Sequence, residues 1–162
     1  MKYKKHNLGF TLIELLVVIA IISLLSTVAL ASVDSSRKKA RDSVRMLDVR
    51  TLETAILTYA NDNGSIPEAV AENYYGWEIS SVMSTPNFIN TLVQGGYLPS
   101  PGLYDPINNA VYHYAYIKRG DQGGCSFGTT GVLFVRFEQS DVNFGKTVPN
   151  DWGPGARVLC IR

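Results

Sequence analysis

From Phe10 to Val33 the chain carries one charge only, Glu14. Twenty-four residues at a helical rise of about 1.5 Å extend about 36 Å, enough to cross a hydrocarbon core of about 30 Å. Beyond Val33 the chain turns polar without turning irregular, and neither Gly nor Pro occurs between Phe10 and Asn63. Ala40, Val44, Leu47, Leu52, Ala55, Ile56 and Tyr59 approximate one helical stripe, while Arg37, Lys38, Arg41, Arg45 and Arg50 mostly lie elsewhere. Asn63-Gly64 supplies a stop, with Pro67 close behind. The pattern predicts one helix from about Phe10 to Asp62, on the order of 80 Å long. Its first half is suited to a membrane and its second half to packing against a head.

The remainder predicts a small helix and a short antiparallel sheet. Thr85-Pro86 reads as a cap followed by proline at the first helical position. Phe88, Ile89, Leu92 and Val93 then share a face, and Gly95-Gly96 ends the helix. Alternation from Ala110 to Lys118 places Tyr112, Tyr114 and Tyr116 on one side and Val111, His113, Ala115 and Ile117 on the other. Gly131 to Glu138 is a second strand, grouping Leu133, Val135 and Phe137, and Ala156 to Ile161 is a third. The segments Gly120 to Gly131 and Ser140 to Gly155 read as loops. The fold class is α+β: a long N-terminal helix on a small antiparallel head. The expected divisions are a basic extension at 1–9, the apolar helical half at 10–33, the amphipathic half at 34–63 and the head at 64–162.

Composition changes this picture little. The formal net charge of +1 gives no bulk attraction to nucleic acid or to an acidic partner. Hydrophobic residues make up 46% of the 162, but they are concentrated near the N-terminus. The two cysteines, Cys125 and Cys160, form an even pair in a chain that looks exported. That favours a disulfide over a metal site, with two free buried thiols as the alternative. The cluster Arg37-Lys38-Lys39-Ala40-Arg41 reads as a solvated helix face with Asp34, Asp42 and Asp48 as partners. Anionic lipid head groups are a second reading. Nucleic acid is not expected, because no aromatic residues interleave the cations. The histidines are His6 and His113, and no Ser/His/Asp set, phosphate loop or metal-ligand spacing accompanies them. The chain is therefore not expected to be an enzyme.

Ala29-Leu30-Ala31 before Ser32 is an acceptable signal-peptidase site, so a secreted soluble binding domain cut after Ala31 is a rival reading. The apolar run is longer than the usual signal core of about 7–15 residues. Glu14 also lies inside it, where a carboxylate costs about 2.5–3.5 kcal/mol on insertion scales. A segment made only to be recognised and removed has little reason to carry that charge.

The contiguous run Gly9-Phe10-Thr11-Leu12-Ile13-Glu14-Leu15-Leu16-Val17-Val18-Ile19-Ala20-Ile21 resembles the cleavage and methylation motif of type IV prepilins and type II secretion pseudopilins. The resemblance implies a leader at 1–9, cut after Gly9 by a prepilin peptidase that also methylates the new amine of Phe10. It implies that Glu14 pairs with the Phe10 amine of a neighbouring subunit during assembly. Each charge is costly alone in an apolar core and is neutralised when the two meet, so the pair would set register more than stability. The implied partners are a homo-oligomeric filament, other pilins, the peptidase, an inner-membrane assembly platform and membrane lipid. The implied location is the cytoplasmic membrane, as a single pass with its N-terminus inside, and then a cell-surface or periplasmic filament. Where many of these pilins have a helix-kinking proline, this chain has Ala31, so the kink is expected to be absent or weaker. The family also implies a Cys125–Cys160 staple near the C-terminus. It allows calcium in a C-terminal loop, with Asp141 and Asp151 as candidates, although no ligand spacing supports it. No other cofactor is expected.

Overall fold

The computed structural model describes residues 10–70, 76–82, 86–119, 123–125, 128, 130–148 and 152–162. The chain divides after Arg37 into two units. Helix α1 (Leu12–Asn63) runs through Ala31 without interruption, and Thr85 lies outside the described residues.

From Leu12 to Val33 α1 is apolar on every side except at Glu14 and a few hydroxyls. An eighteen-residue window reaches a mean hydropathy of 2.7 and none of it is buried. By length and composition it can cross a membrane. Its few hydroxyls are satisfied locally: Ser23 and Ser26 donate back to the carbonyls of Ile19 and Ile22 at 2.7 and 2.8 Å. Such back-bonding satisfies those hydroxyls in an apolar surround.

In the second unit α1 buries Asp42, Arg45, Val49, Leu52, Ala55 and Ile56. The spacing is helical, but its phase differs from the apolar stripe expected for the first turns. Val44 and Leu47 face outward, 45% and 67% exposed, and Ala40 is exposed too. The inward positions of those turns belong to charged residues, so hydrophobicity alone misplaces the seam. The helix stops where expected: Gly64 adopts φ 75° and its N–H donates to the Ala60 carbonyl at 2.8 Å.

The head contains β1 (Glu78–Ile79), α2 (Asn90–Gln94), β2 (Tyr114–Ile117), β3 (Gly131–Arg136), β4 (Lys146–Thr147) and β5 (Ala156–Ile161). The strands form one antiparallel sheet in the order β1-β2-β3-β5-β4. Tyr114 and Tyr116, Leu133 and Val135, and Ile161 point to one face, where they pack with Leu52, Ile56, Phe88 and Leu92. Ala115, Ile117, Val132, Phe134, Ala156 and Val158 point to the other, which Trp77 and Trp152 cover. Both faces are therefore covered, and β2 and β3 read as near-continuous runs of buried residues.

Several elements differ from the sequence expectation. Strand β2 is shorter than Ala110–Lys118 because the Asn109 side chain accepts the N–H groups of Val111 and Tyr112 at 2.9 and 2.8 Å. The chain turns there, and Tyr112 lies outside the strand although Tyr114 and Tyr116 share a face as expected. Strand β4 lies inside the segment read as a loop, and β1 carries no legible signal at two residues. Helix α2 begins at Asn90, with Phe88 and Ile89 before it. Ile89 is left-handed at φ 46°, and its N–H donates to the buried Glu78 carboxylate at 2.6 Å. That charge-assisted bond holds the backbone where a continuing helix would not.

Cys125 and Cys160 are disulfide-bonded, with Cα atoms 5.7 Å apart and a sequence separation of 35. The bond ties the loop after β2 to the last strand. Closing a loop of that length stabilises by about 3–4 kcal/mol in the chain-entropy description. We expect the Cys125→Ala, Cys160→Ala variant to lose about that much in urea unfolding of the detergent-solubilised protein. An unchanged midpoint would rule out a stapling role.

Candidate functional site

Two clusters of polar residues on α1 stand apart from the apolar packing. The first is at its start. Thr11 is the N-cap residue and Glu14 stands three positions on. The Glu14 carboxylate accepts from the Thr11 N–H at 2.8 Å and from the Thr11 hydroxyl at 2.7 Å. The Glu14 N–H donates to the Thr11 hydroxyl oxygen at 3.3 Å. This is a reciprocal capping box, which satisfies two donors that a helix start otherwise leaves orphaned. Glu14 is thus engaged within its own chain, and Thr11 is a site residue that the sequence reading left unassigned. The spacing Thr11-x-x-Glu14 ahead of an apolar run was the signal that could have found it. Phe10, Ile13, Glu14, Val17 and Val18 line a shallow open groove of about 340 Å³. Phe10 is itself exposed, and Gly9 lies outside the described residues.

The second cluster centres on Arg45, whose side chain is fully buried. Its guanidinium donates to Asp105 twice, at 2.6 and 3.0 Å, to Asp42 at 2.7 Å and to Glu138 at 2.9 Å. It also lies 4.9 Å from the Tyr112 ring centroid. Arg41 grips Glu138 with two bonds of 2.6 and 2.7 Å. Asp42 in turn accepts the backbone N–H groups of Glu138 and Gln139 at 2.9 and 3.0 Å. One turn of helix thereby anchors the loop before β2 and the chain leaving β3. Burial alone would lower the pKa of Arg45, but the bonds to Asp105, Glu138 and Asp42 hold it above the ordinary arginine value. The Arg41 bond, acting against burial and joined by Arg45, pulls the pKa of Glu138 down to about 2. Burial raises that of Asp48, against the hydrogen bond from the Tyr114 hydroxyl.

This geometry corrects the reading of the basic stretch as a face neutralised by Asp34, Asp42 and Asp48. Asp42 turns inward to Arg45, and Asp48 accepts from Tyr114 at 2.8 Å. Arg45 was missed because an arginine in an amphipathic helix reads as solvent-facing unless its acidic partners, distant in sequence, are known.

The other candidates do not converge. Asp141 is exposed, and Asp151 lies outside the described residues. Among the described residues no group of three or more His, Cys, Asp or Glu could hold a metal ion. His113 stands 5.7 Å from Phe134, with Nδ1 3.2 Å from the Asn109 carbonyl, and burial lowers its pKa.

A long apolar helix beginning at a capped glutamate and continuing into a thin, disulfide-stapled α+β head defines the pilin-like class. Residues 4–30 match the family described as the prokaryotic N-terminal methylation motif. The chain is 29% identical to type II secretion system core protein G of Vibrio cholerae, over 82% of this chain and 85% of that protein. It is 37% identical to the competence protein ComGC of Halalkalibacterium halodurans, over 38% of this chain and 61% of that one. It is 30% identical to the type IV major pilin protein PilA of Myxococcus xanthus, over 49% of this chain and 40% of that one. No solved structure matches. By this motif and these relatives the chain is similar to type IV pilins and pseudopilins.

Breaking the buried pair strands acids in the head. Removing one partner of such a pair costs about 3–5 kcal/mol, so Arg45→Ala should destabilise by that order in urea unfolding. The lowered pKa of Glu138 carries a definite sign. Its contribution is complete above the ordinary glutamate value near 4.5 and is lost as pH falls toward about 2. Wild type should therefore lose stability relative to Glu138→Gln across that window. Parallel stability curves for the two proteins would contradict the ion-pair account.

Proposed function

We propose that the chain is a structural subunit of a type IV pilus or a type II secretion-like pseudopilus. It is processed by a prepilin peptidase and assembled through packing of its N-terminal helix. The observation that carries this reading is the contiguous motif from Gly9 to Ile21, with Glu14 as the one charge in the apolar run and three residues past the helix cap. Cleavage after Gly9 would expose a new amine on Phe10, four positions before Glu14. The peptidase and methyltransferase, the inner-membrane platform and other pilins are the partners this reading requires. The precursor is held in the cytoplasmic membrane by α1, N-terminus inside, before it enters a surface or periplasmic filament.

Glu14 has two sets of donors in this account. In the single chain it is held by Thr11; in a filament the neighbouring Phe10 amine offers a full positive charge. The ammonium adds to the hydrogen bond an ion-pair attraction that an uncharged N–H or hydroxyl donor lacks, strongest in an apolar surround. The capped state therefore keeps the carboxylate satisfied in the membrane and yields it when the right register is reached. The alignment covering most of the head is with the secretion-system protein, which favours a pseudopilus over other filaments.

N-terminal mass spectrometry of protein expressed with and without a prepilin peptidase tests this. The expected product begins at N-methylated Phe10 and appears only with the peptidase. A start at Ser32 that ignores the peptidase would replace the filament reading with that of a secreted head. In the same system Glu14→Ala should accumulate as processed protein and yield at least about ten-fold fewer filaments, about 1.4 kcal/mol in assembly.

A further inference from the structure

Arg37, Lys38, Lys39 and Arg41 crowd into five positions of α1, and the first stands four residues beyond Val33. The structure changes what surrounds them. Asp42 is committed to Arg45 and to two backbone N–H groups, and Asp48 to Tyr114. Arg41 is committed to Glu138. Of the three acids that could neutralise this stretch, two are withdrawn from the outer surface and Asp34 remains. Whatever pairing Asp34 makes, three cations against one acid leave the outer surface positive.

By position on α1, at about 100° per residue, Arg37, Lys38 and Lys39 spread over about 200° of the circumference. The uncharged remainder carries Val33, Ser36, Ala40 and Val44, all exposed. From Leu12 to Arg37 the helical rise sums to about 37 Å, beyond a hydrocarbon core of about 30 Å. The cations therefore fall at head-group depth on the side where the helix emerges. No aromatic residue occurs between Phe10 and Tyr59, so no base-stacking platform accompanies them.

We propose that Arg37, Lys38 and Lys39 form a cationic girdle that binds anionic phospholipid head groups of the leaflet from which α1 emerges. The proposal rests on the membrane-embedded reading of the apolar run. The girdle holds the unassembled subunit at one depth and leaves the uncharged side of the helix open to a neighbour. Each cation near an anionic surface favours association by about five-fold.

Electron paramagnetic resonance of spin-labelled phosphatidylglycerol and phosphatidylcholine, with the full-length protein in mixed vesicles of the two, reads the preference directly. The wild type should prefer phosphatidylglycerol by at least about five-fold. Arg37→Gln, Lys38→Gln, Lys39→Gln together should bring the ratio close to one. So should about 1 M salt, where the Debye length is about 3 Å. A wild-type ratio near one, or a ratio the variant leaves unchanged, overturns the proposal. Loss of the preference to inorganic phosphate at matched ionic strength would show a free-phosphate site instead. Loss of it to a DNA duplex at matched ionic strength would show a nucleic-acid surface instead. Alkaline carbonate washing separates the two layers of the argument. Protein released from the vesicles defeats the membrane reading as well, whereas protein retained with a ratio near one defeats the girdle alone.

Discussion

A guanidinium withdrawn from water must be met by carboxylates, and the head of this protein is organised around that demand. Arg45 is fully buried, and its partners come from three places: Asp42 one turn away, Asp105 before β2 and Glu138 after β3. Each of those carboxylates also accepts elsewhere: Asp42 from two backbone N–H groups, Asp105 from the N–H of Ile107, Glu138 from Arg41. The network gains little net energy over an apolar core of the same shape. What it fixes is orientation, because any other rotation of the helix about its axis would leave charges buried and unpaired.

The same logic operates at the start of the helix in a different solvent. Glu14 is costly in an apolar surround unless donors face it. Thr11 supplies two of them within the chain, so the carboxylate is satisfied in the isolated subunit and remains available to a stronger donor. Glu14 is thus met by donors at the start of the helix, and Arg45 by acceptors where the helix packs on the head. Near Arg45, Asp42 and Asp48 are drawn inward while Arg37 and Lys39 stay exposed.

Much of this was legible beforehand. The long apolar run, the absence of Gly and Pro and the Asn63-Gly64 stop mark α1 almost to the residue. Strand β5 reads directly from Ala156 to Ile161, and the Tyr114/Tyr116 and Leu133/Val135 faces follow from alternation. The errors share a cause. The phase of α1 at Val44 and Leu47, the early start given to β2, the length of α2 and the role of Arg45 all turn on polar side chains bonded to groups distant in sequence or to a local turn. Asn109 ends an alternation that continues in the letters, and Glu78 bends the chain at Ile89. Hydrophobic period carries no record of such bonds.

The sequence by itself determined the class: a contiguous prepilin-type motif, one carboxylate in an apolar run, a helix long enough to span a bilayer and a small α+β head. These are local properties, written in the order and spacing of residues. Only the tertiary structure decided which face of the helix meets the head, which acids serve Arg45 and Arg41, and therefore which cations remain on the surface. Those outcomes depend on Asp105 and Glu138, about sixty and ninety positions away, arriving beside one turn of helix. Pairing of buried charge is settled by distance in space, which the spacing of residues along the chain does not encode.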